Sequence, residues 1–199
     1  GLGNQFLSNI RETDAIVHVV RAFENDDIVH VSGKVSPIDD IEIINTELIL
    51  SDLSVVEKLY QKAQKNTKSG QKEGMPMKEL LEKILSALKE GISVRKLTFG
   101  EEELVLLKSF QLLTLKPVLY VANVNENGFE NNPYLSSILD YAKEENSKVV
   151  PICAEIEAEI CELNTDEKKE FLLEMGQNES GLDRLIKAGY NLLGLQTYF

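Results

Sequence analysis

Asn123 and Glu126 in the stretch VANVNENG pair an amide, which can both donate and accept hydrogen bonds, with a carboxylate three positions later. They directly follow PVLYVA, an apolar run of strand-forming residues. In open α/β sheets ligands bind beyond the carboxyl ends of the strands, where a loop presents side chains to a crevice that the sheet holds in place. An amide at that corner suits the edge of a purine. The same residues also read as a plain strand-ending turn, since NxxE arises by chance and Asn127-Gly128 is ordinary turn chemistry.

A second group is cationic. Lys58, Lys62, Lys65, Lys68 and Lys72 step by four, three, three and four, which keeps them on one face if a helix runs that far. A phosphate backbone would meet a row of positive charges there. The alternative is a solvated helix face, with Glu57 and Glu73 diluting the charge. Other residue types converge on nothing. His18 sits within a strand-like run and His30 in a loop, without the Cys or carboxylate spacing of a metal cage. No Ser, His and Asp are spaced as a triad. Glu101 to Glu103 suit a helix start after Gly100, and AEIEAEICEL, Ala154 to Leu163, reads as an exposed helix.

The elements that must position these residues alternate. AIVHVV (15–20), VLYVAN (118–123) and KVVPIC (148–153) are continuous apolar runs of the kind buried on both faces of a parallel sheet. Helical patterns over 37–50 and 133–145 precede the second and third runs, and βα alternation predicts an α/β fold. The interval 52–100 breaks the alternation. DLSVVEKLYQKAQKN and MKELLEKILSALKE are helical, with Met77, Leu81, Ile84 and Leu88 in one stripe and SGQKEGMP as the break between them. Two amphipathic helices around a polar turn predict an antiparallel hairpin whose stripes face each other. SGLDRLIKAGYNLL, 180–193, opens with Ser180 and Asp183 in a capping-box-like pair, and LQTYF ends the chain like a strand cut short.

Composition bounds the function. The chain has 199 residues, 43% of them hydrophobic, enough for a sizeable core. A net charge of −12 argues against a protein that coats nucleic acid with its whole surface. Yet 52–100 carries ten basic and six acidic residues, about +4, within an otherwise acidic chain, so a polyanion contact is to be sought there. No apolar run approaches a membrane span or a secretory signal, which makes the cytoplasm the expected compartment. Cys153 and Cys161 are expected to be reduced thiols.

Several blocks, GLGNQFLSNIRETDAIVHVVRAF, PIDDIEIINTEL, KPVLYVANVNE, VVPICAEIEAEI and SGLDRLIKAGY, resemble the YchF family of Obg-like ATPases, P-loop NTPases of the translation-factor class. The resemblance runs through essentially the whole chain. It implies a P-loop NTPase-type parallel sheet, here partial, over 1–51 and 101–199, with a helical coiled-coil insertion over 52–100. It further implies that NxxE stands where related GTPases carry NKxD and that ATP is preferred to GTP. The Asp of NKxD accepts from guanine N1–H and the exocyclic amine, a charge-assisted bidentate contact. Adenine offers no such donor pair, which leaves its N6 amine to other acceptors, among them the Asn123 side chain and the main chain at Val124. By the same resemblance Cys153, Ala154 and Glu155 form the second base-side loop, in place of Ser-Ala-Lys; Cys153 reads equally as core.

No GxxxxGK[ST] occurs, and Gly33-Lys34 lacks the upstream glycine. The resemblance implies that the P-loop, the first switch and the Mg²⁺-holding DxxG precede GLGNQF, and that a small TGS domain follows the last residue. The sequence thus reads as an excised or partly recorded ATPase, inactive by itself, that joins the ribosome or structured RNA through its insertion. The alternative is a non-catalytic scaffold working through the hairpin.

Overall fold

A computed structural model describes residues 3–25, 35–68 and 75–195. His30, Gly33-Lys34, the SGQKEG turn with Lys72, and 196–199 of LQTYF therefore lie outside the described residues. The chain divides into two compact units, Ala15–Ile41 with Pro117–Phe199 and Gly1–Asp14 with Glu42–Lys116.

The first unit is built on a parallel sheet of β1 (Ile16–Arg21), β2 (Val118–Asn123) and β3 (Lys148–Ile152), in the order β1-β2-β3. Registers pair Arg21 with Asn123 and Asn123 with Ile152, so the three carboxyl ends lie level. β2 is buried along both faces, as its unbroken apolar run requires. On one face Tyr120 and Ala122 pack with Ile138 and Ala142 of α5 (Pro133–Glu144) and with Ile156 and Ile160 of α6 (Ala154–Glu162). On the other, Leu119, Val121, Val150 and Ile152 pack against Leu185, Ala188 and Leu192 of α8 (Gly181–Leu193). Between α6 and α8 lies α7 (Thr165–Glu174).

Among the described residues β1 is covered on one face. Val20 is buried, but Val17 and Val19 are 49% and 64% exposed. They share a face with Leu119 and Val121, and α8 covers that face only over β2 and β3. His18 lies on the opposite face, its ring 5.8 Å from that of Tyr120.

The second unit is helical: α1 (Asn4–Arg11), most of α2 (Pro37–Lys68), α3 (Met75–Lys89) and α4 (Glu101–Lys108), with short 3₁₀ turns at Val94–Lys96 and Leu113–Leu115. The two helical patterns expected over 37–50 and 52–66 are one helix of 32 residues. No glycine interrupts it and its proline is at the first position, where the missing N–H costs nothing. Val56 and Ala63 of α2 share one core with Leu80, Leu81, Ile84 and Leu88 of α3, as the stripes required, but Leu107 and Leu112 join it too. The helical unit is accordingly wider than 52–100. Asp52, fully buried, explains part of that width. Its carboxylate accepts from Leu113 N (3.0 Å), Thr114 N (2.7 Å) and Thr114 Oγ1 (2.8 Å), and it pairs with Arg11 Nη1 at 2.9 Å. Among the described residues no helix is long and apolar enough to cross a membrane.

Candidate functional site

The level strand ends put three loops along one edge of the sheet. Asn123 closes β2, and its carbonyl accepts from Ala22 N at 2.8 Å, just past the end of β1. Its side-chain Oδ1 accepts from Ala154 N, the first residue of α6, at 3.1 Å. Val124 N donates to Ile152 O at 2.9 Å, which uses the Val124 amide. Asn123, Val124 and Ala154 are thereby joined through backbone and side-chain hydrogen bonds, although 31 residues separate the first from the last.

The remaining expected site residues divide by exposure. Val124 is 1% exposed as a whole residue and its side chain belongs to the core. Cys153, at 2% exposure, is likewise a core side chain, which of its two readings favours packing; its N-cap position on α6 carries no side-chain cap bond. Ala154 and Glu155 are exposed in the first turn of α6, where an acid suits the helix dipole. Glu126 is exposed in the turn after β2 and has no hydrogen-bond or ion-pair partner among the described residues.

Sequence reasoning missed what holds this turn. Asn132, half-buried at the N-cap of α5, accepts on Oδ1 from Tyr134 N and Leu135 N. Its Nδ2 donates to Ala22 O at 2.8 Å and to Gly128 O at 3.0 Å. Gly128 is not there for its backbone freedom: a Cβ at that position would lie 2.4 Å from Asn125 Oδ1. The signal was present in Asn132-Pro133, an N-cap residue followed by proline at the first helical position.

A cleft of about 280 Å³ adjoins the turn, lined among others by Phe23, Glu24, Asn125, Asn127 and Tyr134. The Tyr134 hydroxyl donates to Glu24, which raises the phenol above the usual tyrosine pKa. Arg21 lies over the Phe23 ring, 4.9 Å from its centroid, and donates to Phe23 O at 3.0 Å. Phe23 and Glu24 obey the same strand-end rule that singled out Asn123, applied to β1.

AEIEAEICEL is more than a solvated helix. Glu157 accepts from Gly181 N (2.6 Å) and Leu182 N (3.1 Å), capping α8 from outside its own sequence. In the helical unit Lys58, Lys62 and Lys65 are exposed on α2. The helix reaches Lys68, whose side chain is outside the described ones, as is all of Lys72. Among the described residues no three His, Cys, Asp or Glu side chains converge on a metal position.

No family model matches the chain. Proteins named Ribosome-binding ATPase YchF are 57% identical over 199 residues in Haemophilus influenzae, 55% identical over 199 in Escherichia coli O157:H7, and 52% identical over 202 in Bacillus subtilis. Each match takes in 100% of this chain and 55% of the relative, so the chain spans about half the length of the curated relatives it matches. Among solved structures, the Schizosaccharomyces pombe YchF GTPase superposes with a TM-score of 0.87 at 33% identity, covering 97% of this chain and 53% of that one.

Proposed function

Because this chain belongs to the YchF family, we propose that the whole protein binds and hydrolyses ATP in preference to GTP, acts at the ribosome, and selects its base at the Asn123 corner. The hydrolase and ribosome elements rest on the relatives, some named as ATPases and one as a GTPase. The base preference rests on the hydrogen bonds of this chain.

One contact carries it: Ala154 N–H is already given to Asn123 Oδ1. A keto oxygen such as guanine O6 needs a donor, and this one is spent within the protein. The Val124 N–H is likewise given to Ile152 O, so it too is no donor for a keto oxygen, and adenine's N6 amine needs only an acceptor. The Asn123 Oδ1 engagement also revises the expected role of that side chain. Its free donor is Nδ2, which suits purine N7, an acceptor common to adenine and guanine. Asn123 thus supports purine binding, and the flanking backbone supports the choice between purines. Glu126 stands where an Asp would accept from guanine's N1–H and amine, one methylene too long for that pair.

Because no three His, Cys, Asp or Glu side chains converge among the described residues, metal binding is assigned to none of them, and no step is derived through Mg²⁺ or the phosphates. In the full-length protein, Glu126→Asp is expected to lower the ATP:GTP affinity ratio about tenfold or more, because sites built to pair a polar group discriminate strongly. Titration calorimetry with both nucleotides measures it. A ratio equal to the wild type's would remove Glu126 from base selection.

The lysine row on α2 is proposed as the ribosomal RNA contact. Three of its cations are solvent-exposed on one helix, within the 52–100 stretch of net positive charge.

A further inference from the structure

We infer that Asn132 is a positioning residue for base recognition: it holds the Glu126 turn in place without touching the nucleotide. The inference rests on the base-reading corner proposed above.

The turn from Val124 to Gly128 is clamped at both ends. At its start, Asn123 O receives Ala22 N and Val124 N reaches Ile152 O. At its end, Asn132 Nδ2 holds Gly128 O and Ala22 O together. A bond from Gly128 N to Asn125 O, 2.9 Å, closes the turn on itself, and the absence of a Cβ at Gly128 lets Asn125 and Asn132 approach. Glu126 lies between the two clamps, exposed and without a partner among the described residues, so nothing of its own fixes it. The first clamp is the strand ladder and would exist for almost any side chains. The second depends on one amide.

That amide has no spare capacity. Oδ1 serves Tyr134 N and Leu135 N, and Nδ2 serves two carbonyls, one from the end of β1 and one from the turn. Only Asn supplies both functions from this position: Asp keeps an oxygen for capping α5 but has no donor, and Ser keeps the oxygen with a single O–H on a shorter side chain, so neither gives two donors to the paired carbonyls. The capping and bridging roles can therefore be separated by substitution.

In the full-length protein, Asn132→Ser and Asn132→Asp are compared with wild type and with Asn123→Ala, which removes the proposed base contact itself. Three quantities are read: the Kd for ATP, the inhibition constant of inorganic tripolyphosphate, which has phosphates but no base, and the melting temperature. Loss of preorganisation is expected to raise the ATP Kd about tenfold in both Asn132 variants. Tripolyphosphate inhibition should stay at its wild-type value, and the retained cap should keep the melting temperature close to wild type. If Asn123→Ala weakens ATP but both Asn132 variants stay within about twofold of wild type, Asn132 merely caps α5 and the inference falls. If ATP and tripolyphosphate weaken in proportion, Asn132 serves the fold at large and the inference falls again. If Asn123→Ala leaves ATP binding unchanged, the corner does not read the base, and both proposals fail together.

Discussion

Asp52 shows how much one side chain can organise. Its carboxylate, 0% exposed, satisfies two backbone amides and a hydroxyl around 113–114 while facing Arg11 across 41 residues of sequence. Arg11 is held in turn by Ser51 Oγ at 2.7 Å and Gln111 O at 3.0 Å. Removing only one partner of such a set leaves buried polar groups unmatched, the costly direction of change. Asp52→Ala is expected to lower unfolding free energy by about 3–5 kcal/mol in urea denaturation. A loss below about 1 kcal/mol, the scale of an exposed pair, would show that the network is not organising the helical unit. Glu157 makes the same point on a smaller scale. Spacing makes it one of several exposed acids, yet it caps α8, and a Cβ at Gly181 would crowd both its Oε1, at 2.8 Å, and Ile152 Cγ1, at 3.1 Å.

At the scale of elements, local signals were legible where a cap or a breaker decided the outcome. α4 begins at Glu101 after Gly100, and α8 begins after Ser180, whose hydroxyl accepts from Asp183 N at 3.1 Å and donates to Asp183 Oδ2 at 2.7 Å. Ser180 chiefly, with Lys168 at 3.4 Å, holds the Asp183 carboxyl below its ordinary pKa against a smaller opposing effect of burial. A carboxylate whose folded pKa is lowered binds fewer protons folded than unfolded, so its stabilisation is complete above the ordinary carboxylate range and is lost as pH falls through that range toward the lowered value. Asp183 is 45% exposed, which limits the effect to under about 1 kcal/mol. Wild type should therefore exceed Asp183→Asn in unfolding free energy at pH 7, and the gap should close in acid. A gap of constant size across the carboxylate range would mean that Asp183 acts through packing and not through its charge. α2 was misread at this scale because Asp52 looked like a boundary; a helix without an internal breaker simply continues through it.

Over the whole molecule, the −12 charge and the basic 52–100 stretch set a testable electrostatic expectation. If Lys58, Lys62 and Lys65 meet ribosomal phosphates, reversing all three to Glu should weaken ribosome cosedimentation of the full-length protein. It should also flatten the salt dependence, since each lost phosphate contact reduces the logarithmic slope by roughly 0.7–0.9. Binding with an unchanged slope would return these lysines to a solvated face. Nucleotide affinity should stay at its wild-type value, because the proposed base-reading corner belongs to the other compact unit.

The amino-acid sequence by itself determined the kind of elements, the α/β class, and the corner after β2 where chemistry was to be sought, because strand runs, breakers and caps are encoded by residues adjacent in the chain. Tertiary structure alone decided that Cys153 and Val124 turn their side chains into the core, and that Asn132 and Asp52 are hubs. Burial and hydrogen-bond partnership are relations between residues far apart in sequence. Asn123 meets Ala154 across 31 positions and Ala22 meets Asn132 across 110, and no local pattern reports which of a chain's many amides will be the one that closes such a gap.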